Sequence, residues 1–95
     1  MIKLKDKRIA IFGNAINSTT RAMALLLTEL GADVAIIDPK LDQAQRLADD
    51  INNQKEIKAD YGKGAAIPVD LEKPATIKDA IQLSAQALGG LDALI

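Results

Sequence analysis

Residues 13–20, Gly-Asn-Ala-Ile-Asn-Ser-Thr-Thr, gather hydrogen-bonding side chains between two apolar runs. Before them stands Arg8-Ile9-Ala10-Ile11-Phe12, and after a helical pattern comes Asp33-Val34-Ala35-Ile36-Ile37, which ends on Asp38. A strand, a turn at a glycine, a helix N-terminus and an acid closing the next strand can together hold a dinucleotide. The first N–H groups of a helix have no partner within it and carry partial positive charge, which suits phosphate. The acid accepts hydrogen bonds from a ribose. Asp38 stands 25 residues beyond Gly13, close to the ~20 expected of such an acid.

The glycines of this turn are mostly replaced. Three are expected, for the turn itself, for close approach of the pyrophosphate and for helix–strand packing. Only Gly13 is present. Asn17 tolerates a left-handed backbone and is expected to replace a glycine in part. Ser18 and Thr19 either donate hydroxyl hydrogen bonds to phosphate or cap the helix, a role assigned first to Ser18. The alternative is a strand–helix–strand unit with a well-capped helix and no ligand. Asp38 is either a ribose acceptor or an acid favoured by the dipole of the following helix. Lys40 either draws a 2′-phosphate or is a solvated lysine.

Composition narrows the classes. A chain of 95 residues makes one small domain, and 48% apolar residues suffice for its core. That core is aliphatic, with one Phe, one Tyr and no Trp, as suits helices packed on a parallel sheet. A net charge of −1 gives no basic footprint for nucleic acid or a membrane surface. No stretch is long and apolar enough to span a bilayer. Residues 1–7 lack the apolar segment of a signal peptide, so a cytoplasmic location is expected. Without Cys or His there is no thiolate, imidazole base or Ser-His-acid triad, and no metal site is expected. Proton transfer within the chain is left to Asp, Glu, Lys and Tyr61. The chain alone is not expected to catalyse.

Alternating patterns predict the order βαβαβαβ in a parallel sheet with flanking helices. Strands are expected over residues 8–12, 33–37, 65–69 and 91–95. The first helix, from near 18 to 30, carries Ala22, Met23, Leu26, Leu27 and Leu30 on one face, and Gly31 stops it. Pro39 fits the first turn of the second helix, whose apolar positions are Leu41, Ala44, Leu47, Ala48 and Ile51. Residues 52–64 read as a polar surface loop. Pro68 favours a sheet edge. The third helix follows Pro74, with Ile77, Ile81, Ala85 and Leu88 in its stripe, and Gly89-Gly90 ends it. A parallel strand needs helices over both faces, so the chain is expected to be the first half of a larger doubly wound domain. Should these residues stand alone instead, the uncovered last strand, at residues 93–95, invites pairing with another copy.

These segments resemble the N-terminal half of the short-chain dehydrogenases/reductases, a Rossmann-type family. The resemblance is carried by Leu4 to Gly13, Arg21-Ala22-Met23-Ala24 continuing to Gly31-Ala32-Asp33-Val34, Pro68-Val69-Asp70-Leu71, and Gly89-Gly90-Leu91-Asp92-Ala93-Leu94-Ile95. It implies hydride transfer between a nicotinamide cofactor and a carbonyl or alcohol carbon. Gly13 matches the first turn glycine. Counted from the strand, Asn17 and Thr19 take the second and third glycine positions; counted back from Arg21, Ser18 and Thr20 do. Asp38 matches the acid that binds the adenosine ribose and favours NAD over NADP. Asp70 and Leu71 match the pair that contacts adenine, although Asp70 can equally form a turn before Pro74.

The family's catalytic Ser and Tyr-x-x-x-Lys have no counterpart in these residues. Tyr61-Gly62-Lys63 has the wrong spacing and reads as a solvated loop. The resemblance also implies a homo-oligomer for the intact protein. A second reading, motivated by the lost glycines, is a degenerate Rossmann domain acting as a nucleotide sensor or structural subunit.

Overall fold

A computed structural model describes residues 3–13 and 17–95. The order is β1 (Arg8–Phe12), α1 (Ser18–Glu29), β2 (Asp33–Asp38), α2 (Leu41–Ile57), β3 (Gly64–Pro68), α3 (Pro74–Leu88) and β4 (Ala93–Leu94). The strands form one parallel sheet in the order β3-β2-β1-β4. The sheet is therefore built outward from β1 in one direction, then reverses to place β4 on the other side.

Strand periodicity sorts the core into two layers. Ile9, Ile11, Val34 and Ile36 meet Ala24 of α1 and Ala44, Leu47 and Ile51 of α2 on one face. Ala10, Ala35, Ile37 and Ile67 meet Ala80 and Leu88 of α3 on the other. The change of face follows from the reversal, because right-handed crossovers running in opposite directions put their helices on opposite sides.

The helix faces differ from those predicted. On α1 the buried residues are Ala24 and Thr28, while Ala22 is exposed and Leu26 is 55% exposed. On α3 they are Ala80, Ser84 and Leu88, with Ile77 and Ile81 only partly buried. Both helices turn a small pair toward the sheet, which permits close approach. The hydroxyls tolerate burial because each bonds within its own helix: Thr28 Oγ1 donates to Ala24 O at 3.0 Å and Ser84 Oγ to Ala80 O at 2.8 Å.

The expected loop at residues 52–64 is also shorter, since α2 continues to Ile57. Asn52 anchors that extension. Its Nδ2 donates to Gly64 O and its Oδ1 accepts from Gly64 N, both at 2.9 Å, pairing the outer edge of β3 through a side chain. Lys55 Nζ then donates to Tyr61 O at 2.7 Å and Ala59 O at 3.2 Å. Pro39 precedes the helix rather than opening it, because the N-cap is Lys40. Pro68 ends the outermost strand, opposite Asp38, where its missing N–H costs no ladder bond.

At the other edge, β4 pairs with β1, and Asp92 Oδ2 accepts from Arg8 N at 2.9 Å. Leu94 and Ile95 are about half exposed there. Among the described residues, no helix is long and apolar enough to cross a membrane.

Candidate functional site

The C-terminal ends of β1 and β2 and the chain leaving β3 enclose a cleft of about 430 Å³. Its lining is Phe12 and Gly13 after β1, Ile37 to Lys40 at the end of β2, and Val69 and Leu71 after β3. The parallel sheet directs all three chain segments out on the same side. In open α/β sheets, ligands bind outside the carboxyl ends of the strands, near the point where the strand order reverses. Here the reversal is at β1.

Asp38 is the acid of the cleft. It is 2% exposed, and its Oδ1 accepts the Lys40 N–H at 2.9 Å. That bond fixes the carboxylate at the mouth of α2. Phe12, Ile37, Pro39, Val69 and Leu71 give the cleft apolar walls, with Leu71 60% exposed. Lys40 also lines it and is exposed.

Gly13 donates its N–H to Ile37 O at 3.1 Å, continuing the β1–β2 ladder by one residue. Its φ is outside the left-handed region, so this position demands space, not a special backbone. An added Cβ would stand 2.9 Å from Thr20 Cγ2. Gly13 therefore lets the first turn of α1 sit against the end of β1.

Residues 14–16 of the turn lie outside the described residues. Beyond them, Asn17 is the N-cap of α1, with φ −66° and ψ 126°. This extended backbone corrects the expectation that Asn17 replaces a left-handed glycine. It also moves the cap from Ser18 to Asn17, whose Oδ1 accepts from Thr19 N at 2.8 Å and Thr20 N at 3.4 Å. Ser18 and Thr19 are exposed in the first turn of the helix. Farther along α1, Arg21 Nη2 meets Asp50 Oδ2 of α2 at 2.8 Å.

Asp70 serves as a turn-former. Its Oδ1 accepts from Glu72 N at 3.1 Å, and its N–H donates to Thr76 Oγ1 at 3.0 Å. It is exposed and does not line the cleft.

Of the seven residues singled out in the sequence, the structure brings Gly13, Asp38 and Leu71 together. Asn17, Ser18 and Thr19 sit at the opening of α1, and Asp70 faces solvent. The apolar walls at Phe12, Ile37, Pro39 and Val69 were not foreseen. Their signal was adjacency, since each lies within two residues of Gly13, Asp38 or Leu71. Among the described residues, no group of acids or imidazoles can hold a metal ion.

No family model matches the chain. Individual proteins do. A cyclohexanol dehydrogenase of Acinetobacter sp. (strain SE19) is 29% identical over 86 residues, which span 90% of this chain and 32% of that protein. The crystal structure of a short-chain type dehydrogenase/reductase from Mycobacterium marinum superposes with TM-score 0.76 at 29% identity, covering 97% of this chain and 34% of that one. That of a 3-ketoacyl-(acyl-carrier-protein) reductase from Brucella melitensis, complexed with NADH, gives 0.75 at 24% identity, with 97% and 34% covered. The chain thus spans about a third of the length of the relatives it matches, less than the half expected from its sequence. It has the Rossmann-like parallel sheet of short-chain dehydrogenases/reductases, and its relatives are oxidoreductases.

Proposed function

We propose that these residues form the adenosine-holding part of an NAD(P)-dependent oxidoreductase of the short-chain dehydrogenase/reductase type. The observation that carries this reading is the buried Asp38 carboxylate in a cleft at the C-terminal ends of β1 and β2. The residues fit an adenosine. Phe12 and Leu71, with the edge of Val69, offer apolar surface to a flat base, and Asp38 is the acceptor that ribose hydroxyls require. A bound nicotinamide dinucleotide supplies or accepts the hydride. The chain's own part is to bind and orient, and Gly13 keeps the end of β1 free of a side chain. The groups that polarise a carbonyl and move a proton lie outside these 95 residues in this reading. The cofactor-holding part is one domain, and the intact protein is a cytoplasmic homo-oligomer.

Asp38 also sets the form of the cofactor. A 2′-phosphate placed at this carboxylate meets like charge, so NADH is expected to bind more tightly than NADPH, by about tenfold. Lys40, close in sequence, is the group that would narrow the difference. Calorimetric titration with both cofactors decides the matter, and tighter NADPH binding overturns the NAD assignment.

One observation favours a second reading. The α1 N–H groups at Thr19 and Thr20 already have an acceptor in Asn17, as in a domain that binds nucleotide weakly and serves as a sensor or structural subunit.

A further inference from the structure

We propose that Gln43 is a positioning residue for the ribose: its side-chain oxygen takes over the Lys40 N–H when Asp38 turns to the ribose hydroxyls. This rests on the dinucleotide reading above. Lys40 is the N-cap of α2, and its own side chain makes no capping bond. Its carbonyl accepts from Gln43 N at 3.1 Å and Ala44 N at 3.2 Å, which starts the helix. Gln43 is the third residue of α2. From that position a Gln or Glu side chain reaches back to the N–H of the cap residue. Here Asp38 Oδ1 already accepts that N–H, at 2.9 Å. Gln43 Oε1 is buried and has no hydrogen-bond partner among the described residues.

Two acceptors thus stand to one donor. An exposed amide turns to water, whereas a buried oxygen without a partner carries a cost that folding alone leaves unrelieved. A ribose changes the count, because its hydroxyls are donors and the carboxylate of Asp38 accepts them. Lys40 lines the cleft, so a seated adenosine covers this turn and shuts water out from its N–H. If Oδ1 turned to a hydroxyl with nothing in reserve, the unmet group would simply change from Gln43 to Lys40. With Gln43 in place, every donor and acceptor is met. Gln43 itself does not line the cleft, and it acts on the ribose only through Asp38 and Lys40.

The test compares the full chain with Gln43→Met, which keeps the length of the side chain and removes the amide. Both are titrated with NADH by calorimetry, and with adenosine and 2′,3′-dideoxyadenosine by backbone amide shifts. The dideoxy compound keeps the base and lacks both hydroxyls offered to Asp38. The variant is expected to bind NADH and adenosine about fivefold more weakly, the equilibrium equivalent of one hydrogen bond, and dideoxyadenosine as the parent does. Equal NADH and adenosine affinities in the two chains overturn the handover and leave the dinucleotide reading standing. Equal weakening of all three ligands assigns Gln43 to holding the fold, and overturns the handover as well. Should Gln43→Met not fold, Gln43→Ala also removes the amide and is read by the same ratio of adenosine to dideoxyadenosine. Absence of binding of NADH and adenosine to the parent overturns the dinucleotide reading, and this proposal with it.

Discussion

Gly62→Ala is expected to lower the melting temperature by about 12–24 °C, the effect of about 3 kcal/mol on a domain this small. Gly62 is buried where the loop before β3 passes beneath the C-terminal end of α1. Its N–H donates to Thr28 O at 2.7 Å, and the same carbonyl accepts from Gly31 N at 3.0 Å. A Cβ at this position falls on the backbone carbonyl of Ala32 and stands 3.0 Å from Asp33 N. Backbone cannot rotate aside as a flexible side chain can, so β2 and the loop must separate. Gly89→Ala is the control. It meets nothing within 4 Å but has φ 81°, and is expected to lose only about 1 kcal/mol to left-handed strain. Thermal unfolding followed by circular dichroism compares the two. Equal stability of the Gly62→Ala and Gly89→Ala chains would show that the loop is not held against β2.

Asp38→Ala is expected to weaken NADH binding by about 10–100-fold, since hydrogen bonds to a charged group contribute about 1.5–3 kcal/mol. The substitution also removes the acceptor of the Lys40 N–H, a loss of about 1 kcal/mol to the fold. Asp38→Asn separates these effects. It keeps one acceptor oxygen for the Lys40 N–H at the mouth of α2, while it removes the charge and turns the other oxygen into an NH2 donor. Its stability is expected to stay within about 1 kcal/mol of the parent chain, while the preference for NADH over NADPH collapses. Calorimetry on both variants supplies the comparison. Unchanged NADH affinity in Asp38→Ala removes Asp38 from the site.

Much of the architecture was legible in the sequence because parallel strands leave a strong mark. β1 is a continuous buried run bounded by a charge and a glycine, and its limits matched residue for residue. The helix faces were less legible. Counting large apolar residues favoured Leu26 on α1 and Ile81 on α3, but the closest approach to the sheet uses Ala24 with Thr28 and Ala80 with Ser84. A hydroxyl bonded to its own helix is polar in the sequence and apolar in effect. The end of α2 was hidden for a related reason, as Asn52 and Lys55 read as loop residues until their partners at Gly64, Ala59 and Tyr61 are seen.

At the site, Gly13 and Asp38 were legible because the end of a strand fixes both. Asn17 was legible as a residue of the turn but not as the cap of α1. Cap and left-handed substitute differ only in backbone angles, and the same residue type serves both. The part of Gly62 was wholly hidden, since its constraint comes from Ala32, thirty positions earlier in the chain.

The most direct test is a two-dimensional amide spectrum of the ¹⁵N-labelled chain, recorded as NADH is added. Saturable shifts are expected at Gly13, Asp38, Lys40 and Leu71, which surround the cleft. The opposite end of the sheet, around Lys5, Asp60 and Tyr61, provides a second hollow of about 290 Å³ and is expected to stay still. A spectrum unchanged at millimolar NADH, or shifts centred on that opposite end, would contradict a dinucleotide site at Asp38.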